Sequence, residues 1–126
     1  MTAHVVRIGV IGHGTVGAAF VKLVKQQSDT IAARSGVRLE IARVAVRNTA
    51  AHAGSLVADV LTQDADFVVS DPTVDLVVEL MGGIDEARAL ILKALATYHE
   101  AIVPRLQVNL LYYHFDFFDL KIFYFK

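Results

Sequence analysis

The chain has 126 residues, a formal net charge of −1, 55% hydrophobic residues and no cysteine. That length suffices for one domain with a real core, and the scattered, balanced charge argues against a nucleic-acid surface. The lack of cysteine excludes disulfides and thiolate metal sites. Neither a secretory signal nor a membrane span is expected. Arg7 interrupts the first apolar run, which ends in glycines, and no uninterrupted apolar stretch reaches the roughly 18 residues that a span requires.

Residues 5–11 are apolar and largely β-branched apart from Arg7 and Gly9, the pattern of a strand buried on both faces of a parallel sheet. Three glycines follow. From Val16 the period becomes helical, with Val16, Ala19, Phe20, Leu23 and Val24 on one face and Lys22, Lys25 and Gln26 on the other. Residues 27–36 are expected to form a loop or a frayed helix end. Residues 37–46 read as a second strand, 47–55 as a loop and 56–61 as a short helix. At Phe67, Val68 and Val69 propensity favours a strand, while the length also allows one helical turn. Asp71-Pro72 signals a turn. Residues 74–81 read as a further buried strand, broken by Gly82-Gly83, and 85–97 as an amphipathic helix capped by Asp85. Strands alternating with helices imply right-handed βαβ units, and so an α/β fold with a Rossmann-like, doubly wound parallel sheet.

Gly12, Gly14 and Gly17 sit between a strand and a helix at the spacing G-x-G-x-x-G. The first glycine allows a tight turn, the second a close approach of backbone to a pyrophosphate, and the third close packing of helix on strand. The helix N-terminus then offers unpaired N–H groups and partial positive charge to the anion. A glycine-rich turn that serves packing alone is the bland alternative. His13 and Thr15 lie between the glycines and line the phosphate site. For His13 itself, a solvent-exposed loop position without chemistry is the expectation, because no carboxylate or second histidine is near it in sequence.

An acidic residue at the end of the second strand would bind the ribose 2′-hydroxyl and favour NAD. Arg47-Asn48 stands there instead, and Glu40 comes several residues too early. A guanidinium suits a 2′-phosphate, so NADP is expected to be preferred to NAD; the alternative is that Arg47 is a solvated loop residue. His52 and Arg43 are the next candidate partners, Arg43 being less well placed inside the strand. Ligands of open α/β sheets bind beyond the carboxyl ends of the strands, so Leu80, Met81, Gly82 and Gly83 are expected to border the nicotinamide. Glu79, the one charge in its strand, either faces the cofactor or caps neighbouring backbone. The five histidines lack metal-ligand spacing, the serines lack a nucleophile context, and no Gly-Lys-Ser/Thr follows the glycine loop.

With these residues in place, the chain resembles the N-terminal, cofactor-binding part of homoserine dehydrogenases over about residues 5–97. The resemblance rests on the GxGxVG loop, the Arg47 strand end, and the VVELMGG strand end followed by the A..LILKAL helix. It implies cofactor contacts at Gly12, His13, Gly14, Thr15, Val16 and Gly17, with Arg47 near the adenosine ribose and Leu80, Met81, Gly82 and Gly83 toward the nicotinamide. It also implies the family's reaction, oxidation of L-homoserine to aspartate 4-semialdehyde with NAD or NADP on the route to threonine and methionine, in the cytoplasm.

The resemblance stops after Thr97. The family's Thr-Ala-Asn-Lys motif, whose lysine lies in the active site, is absent from ATYHEAIVPRLQVNLL, and aromatics crowd the remainder after being rare before it. The expected organisation is a truncated Rossmann-like cofactor domain over 1–103 and an aromatic-rich tail over 104–126, the latter resembling a changed reading frame. No catalytic residue and no metal ligand is assigned. The chain is therefore expected to bind a dinucleotide without turnover, homoserine entering only where the catalytic region is present. The alternative is a non-catalytic, NADP(H)-binding regulatory module. The tail is expected to be a β-hairpin edge or an unstructured, aggregation-prone segment open to self-association. A variant stopped at Val103 is then expected to be more soluble, although the bare edge of a truncated sheet is itself a liability.

Overall fold

The computed structural model describes residues 3–81, 89, 93, 111–115 and 120–124, the last two segments by backbone course. In chain order the elements are β1 (His4–Ile11), α1 (Thr15–Ser35), β2 (Val37–Ala45), β3 (Leu61–Thr62), α2 (Ala65–Ser70), β4 (Leu76–Glu79), β5 (Leu111–Phe115) and β6 (Leu120–Tyr124). Tight 3₁₀ turns occupy Thr49–His52 and Ala58–Val60. The sheet order is β3-β2-β1-β4-β6-β5. Its first four strands are parallel, whereas β6 runs antiparallel to β4 and β5 antiparallel to β6.

β1 lies between β2 and β4, which is why its sequence is apolar on both faces: Val6, Ile8, Val10 and Ile11 are all buried. Val21 and Val24 of α1 pack with Ile8, Val10, Val44 and Val78 on one side of the sheet. Val68 and Val69 of α2 pack with Ile11, Ala42 and Val77 on the other. Helices on both faces of a parallel sheet make the fold α/β and Rossmann-like, as the alternation of periods predicts.

Several local expectations are corrected. α1 does not end near Gln26 but continues to Ser35, where Gly36 closes it in the left-handed conformation (φ 72°) and donates its N–H to the Ala32 carbonyl. The polar residues 25–30 are mostly the exposed face of this long helix, not a loop. Residues 56–61 form no α-helix; a 3₁₀ turn at Ala58–Val60 leads into β3, whose two residues pair with Val44 and Ala45. The segment around Phe67 is helical. Asp64 caps it by accepting a hydrogen bond from the Phe67 N–H at 3.0 Å, and burial of Val68 and Val69 on one face overrides their strand propensity.

Residues 89 and 93 are helical, within the helix expected over 85–97; Lys93 Nζ pairs with Asp66 Oδ2 of α2 at 2.8 Å. The remainder of that helix, the Asp85 cap and the division at residue 103 lie outside the described residues. The edge of β4, expected to be bare, is paired with β6 through Leu76↔Tyr124 to Glu79↔Lys121. The tail thus takes the hairpin form of the two that were open.

Candidate functional site

The ladder runs one residue past each strand at the carboxyl end of the sheet. The Gly12 N–H donates to the Ala45 carbonyl at 2.9 Å, the Leu80 N–H to Ile11 at 2.7 Å, and the Val46 N–H to Thr62 at 2.9 Å. Three connections therefore leave the sheet together, after β1, β2 and β4. Between them lies a cleft of about 430 Å³, lined by Gly12, His13, Gly14, Arg47, Asn48, His52, Leu80 and Met81 among others. This is the place where an open parallel sheet binds its ligand.

Each glycine of the loop has a distinct physical reason. Gly12 has φ +97°, which other residues rarely adopt, and a Cβ there would stand 3.0 Å from the backbone of Leu80 and Met81. A Cβ on Gly17 would lie 2.3 Å from the Gly12 carbonyl oxygen, so α1 reaches β1 only through a bare backbone. At Gly14 a Cβ would meet nothing within 4 Å; it would project into open space in front of α1. Gly14 is also the N-cap of α1, which has no side-chain cap and no acidic residue in its first turn. The first N–H groups of the helix and its dipole thus face open space, as an anion bound at a helix N-terminus requires. The residues present fit such a group.

Of the residues singled out in the sequence, Gly12, His13, Gly14, Arg47, Leu80 and Met81 line one cleft. Thr15 and Val16 are exposed in the first turn of α1, with Gly17 buried beneath them. Gly82 and Gly83 lie outside the described residues. Arg47 is exposed at the cleft wall where β2 ends. Arg43 is turned to other partners: its Nε is 3.5 Å from Asp71 Oδ2, and its guanidinium lies 5.7 Å from the centre of the Phe67 ring. Glu40 pairs with Arg7 across the strands, Oε2 to guanidinium at 3.8 Å. Glu79 is buried and its Oε1 accepts a hydrogen bond from the Met81 N–H at 2.5 Å, the capping role of the two that were open.

His13 departs from expectation. It is not a solvent-exposed loop residue but 8% exposed, and the second histidine that the sequence does not place near it is supplied by the fold. Asn48 caps the 3₁₀ turn Thr49–His52, its Oδ1 accepting from the Ala51 N–H at 3.3 Å. The turn carries His52 to His13, with Nδ1 to Nδ1 at 3.4 Å and the rings edge-on at 85°. Burial, and then the neighbouring His52, hold the His13 imidazole below its ordinary value. Gln63 and Ala65 also line the cleft; sequence reasoning misses them because β3, which delivers them, is too short to show a period.

Among the described residues no group of three or more potential metal ligands occurs, and no helix is long and apolar enough to cross a membrane. A family model described as the homoserine dehydrogenase NAD binding domain matches residues 12–113. Homoserine dehydrogenase of Methylobacillus glycogenes is 42% identical over 92 residues, covering 71% of this chain and 22% of the relative. The Synechocystis enzyme of the same name is 36% identical over 107 residues, covering 79% and 24%. Among solved structures, a homoserine dehydrogenase from Thiobacillus denitrificans superposes with a TM-score of 0.69 at 33% identity, over 77% of this chain and 23% of that one. The chain spans 20–25% of the length of the curated relatives it matches.

Proposed function

The chain belongs to the homoserine dehydrogenase family through its NAD-binding domain, and on that premise we propose that its cleft binds NADP(H) in preference to NAD(H). The observation that carries the reading is the open approach to the uncapped N-terminus of α1 at Gly14. There the helix amides would hold the pyrophosphate. Arg47 would pair with the 2′-phosphate through a charge-assisted, bidentate contact; the absence of a carboxylate from the described cleft lining supports this, since a carboxylate would repel that group. Leu80 and Met81, with Gly82 and Gly83 after them, would flank the nicotinamide. Thr15 and Val16 would supply first-turn amides, and Gly17 the close helix–strand contact that aims them.

The bound dinucleotide would supply a hydride acceptor for oxidation of the homoserine carbinol. The chain's own residues bind and orient that acceptor. Removal of the hydroxyl proton needs a base beside the nicotinamide, and the described residues there, Leu80 and Met81, offer none. We therefore assign cofactor binding to the 126-residue chain and no homoserine turnover by it alone, in a cytoplasmic setting.

Titrating the purified chain with NADPH and, separately, NADH tests this. Saturable binding of both, with NADPH at least about tenfold tighter, corresponding to about 1.4 kcal/mol, is expected. Equal affinities would remove Arg47 as the phosphate reader, and no binding of either would overturn the assignment. Homoserine-dependent reduction of NADP by the same sample would overturn the absence of turnover.

A further inference from the structure

His13 and His52 form a facing pair in the wall of the same cleft, one on the β1–α1 loop and the other on the 3₁₀ turn that follows Arg47. Their Nδ1 atoms point at each other 3.4 Å apart, so at most one of the two can carry a proton there: one Nδ1–H donates and the other Nδ1 accepts. The donor's Nε2 is then a bare acceptor in the neutral state, while the acceptor's Nε2 carries the hydrogen. Among the described residues neither Nε2 has a hydrogen-bond partner. A neutral pair thus offers a ligand one donor and one acceptor, a poor match for a phosphate, which accepts only.

Adding one proton changes this without disturbing the contact between the rings. The Nδ1–H···Nδ1 bond remains, both Nε2 atoms become N–H donors, and the pair gains one positive charge. A second proton would set two N–H groups against each other at 3.4 Å and is opposed by repulsion. Among the described residues that line the cleft, none brings a negative charge to the pair. Arg47 is the other cation, Gln63 on the β3–α2 connection and Leu80 and Met81 after β4 carry no charge, and Asp64 is directed away as the cap of α2.

We propose that the His13–His52 pair is a second, proton-linked reader of the adenosine 2′-phosphate, taking up one proton when NADP binds. The inference rests on the cleft being the dinucleotide site. In the free chain, burial and then the neighbouring His52 hold the His13 imidazole below its ordinary value, and a phosphate beside the pair would oppose that shift. Arg47 brings a guanidinium to that end of the cleft, whereas the pair adds charge by taking up a proton that a bound anion stabilises. The sign follows: binding the anion raises the affinity of the pair for a proton, so NADP binding weakens as pH rises.

Calorimetric titration of the 126-residue chain with NADP⁺ and with NAD⁺, near pH 7 in two buffers of different ionisation enthalpy, reads the uptake directly and needs no variant. A substantial fraction of one proton taken up with NADP⁺, and close to none with NAD⁺, is expected. Between about pH 6.5 and about pH 8, where the phosphate has already lost its own second proton (pKa about 6), the NADP⁺ dissociation constant should rise about tenfold. His52→Asn should flatten that dependence. Zero uptake, or equal uptake with both dinucleotides, overturns the inference while leaving dinucleotide binding in place. If neither dinucleotide binds, the reading beneath it falls, and the inference with it.

Discussion

Gly14, the N-cap of α1, and Gly17 in its first turn lie three residues apart, and a methyl group added to each would do different things. On Gly17 it meets the Gly12 carbonyl oxygen at 2.3 Å, backbone against backbone, which neither rotamer change nor side-chain motion relieves. Gly17→Ala is expected to lower stability by about 2 kcal/mol or more, read as a fall in the denaturation midpoint. On Gly14 the methyl meets no protein atom, so Gly14→Ala should unfold within about 0.5 kcal/mol of the parent. It should nonetheless bind dinucleotide at least about tenfold more weakly, because the methyl occupies the phosphate's approach. Arg47→Ala belongs with these. Loss of a charge-assisted contact worth about 1.5–3 kcal/mol should weaken NADPH by about ten- to a hundredfold and leave NADH within about twofold. A parallel loss for both dinucleotides would show that the arginine reads the diphosphate rather than the ribose.

At the level of the element, the loop between α2 and β4 is held by Asp71. Its carboxylate accepts from the Thr73 N–H at 2.8 Å and the Thr73 hydroxyl at 2.7 Å, and pairs with Arg43 of β2. Burial alone would push this carboxyl up; the Thr73 hydrogen bonds and the Arg43 and Arg7 guanidiniums outweigh it and hold it below its ordinary value. A depressed carboxylate stabilises the fold at neutral pH, and that contribution is lost as pH falls through the folded value. Asp71→Asn should therefore cost about 1 kcal/mol at neutral pH, and denaturation midpoints of parent and variant should converge in acid, below the usual carboxylate range. Asp64→Ala, which uncaps α2, should cost about 1 kcal/mol at neutral pH. Elements whose signal is local are also those that the sequence discloses: β1 by its two-faced apolar run, the start of α1 by its change of period, the glycine loop by its spacing. α2 is not disclosed, because Phe67, Val68 and Val69 are strand-type residues and the deciding hydrogen bond comes from Asp64 before them. β3 escapes because two residues carry no period, and the far half of α1 because its polar residues mark an exposed helix face as readily as a loop. In the site, Arg47 and the glycines are legible for the same local reason. The His13–His52 contact spans 39 positions and exists only once β1 and β2 lie side by side.

For the whole molecule, the parallel sheet and the antiparallel hairpin meet at β4. β6 covers the β4 edge over four register pairs, so removing residues 104–126 uncovers a strand that the rest of the described sheet leaves half-paired. The variant stopped at Val103 is accordingly expected to be less stable and more prone to associate, the reverse of what an unstructured tail would give; sedimentation and denaturant midpoints of the two lengths decide it. The cleft, however, is fastened from the other side of that junction. Leu80 hangs on Ile11, Gly12 on Ala45 and Val46 on Thr62, and none of these bonds involves β5 or β6. β5 and β6 pair with each other locally in sequence, and the ladder to β4 is their connection to the remaining described strands. The molecule therefore has two clocks. Amides of β5 and β6 should exchange with solvent through a brief opening at β4 that leaves β1 and β2 closed, and those of β1 only when the whole sheet comes apart. A dinucleotide held at the far seam should slow the second clock and leave the first running as before.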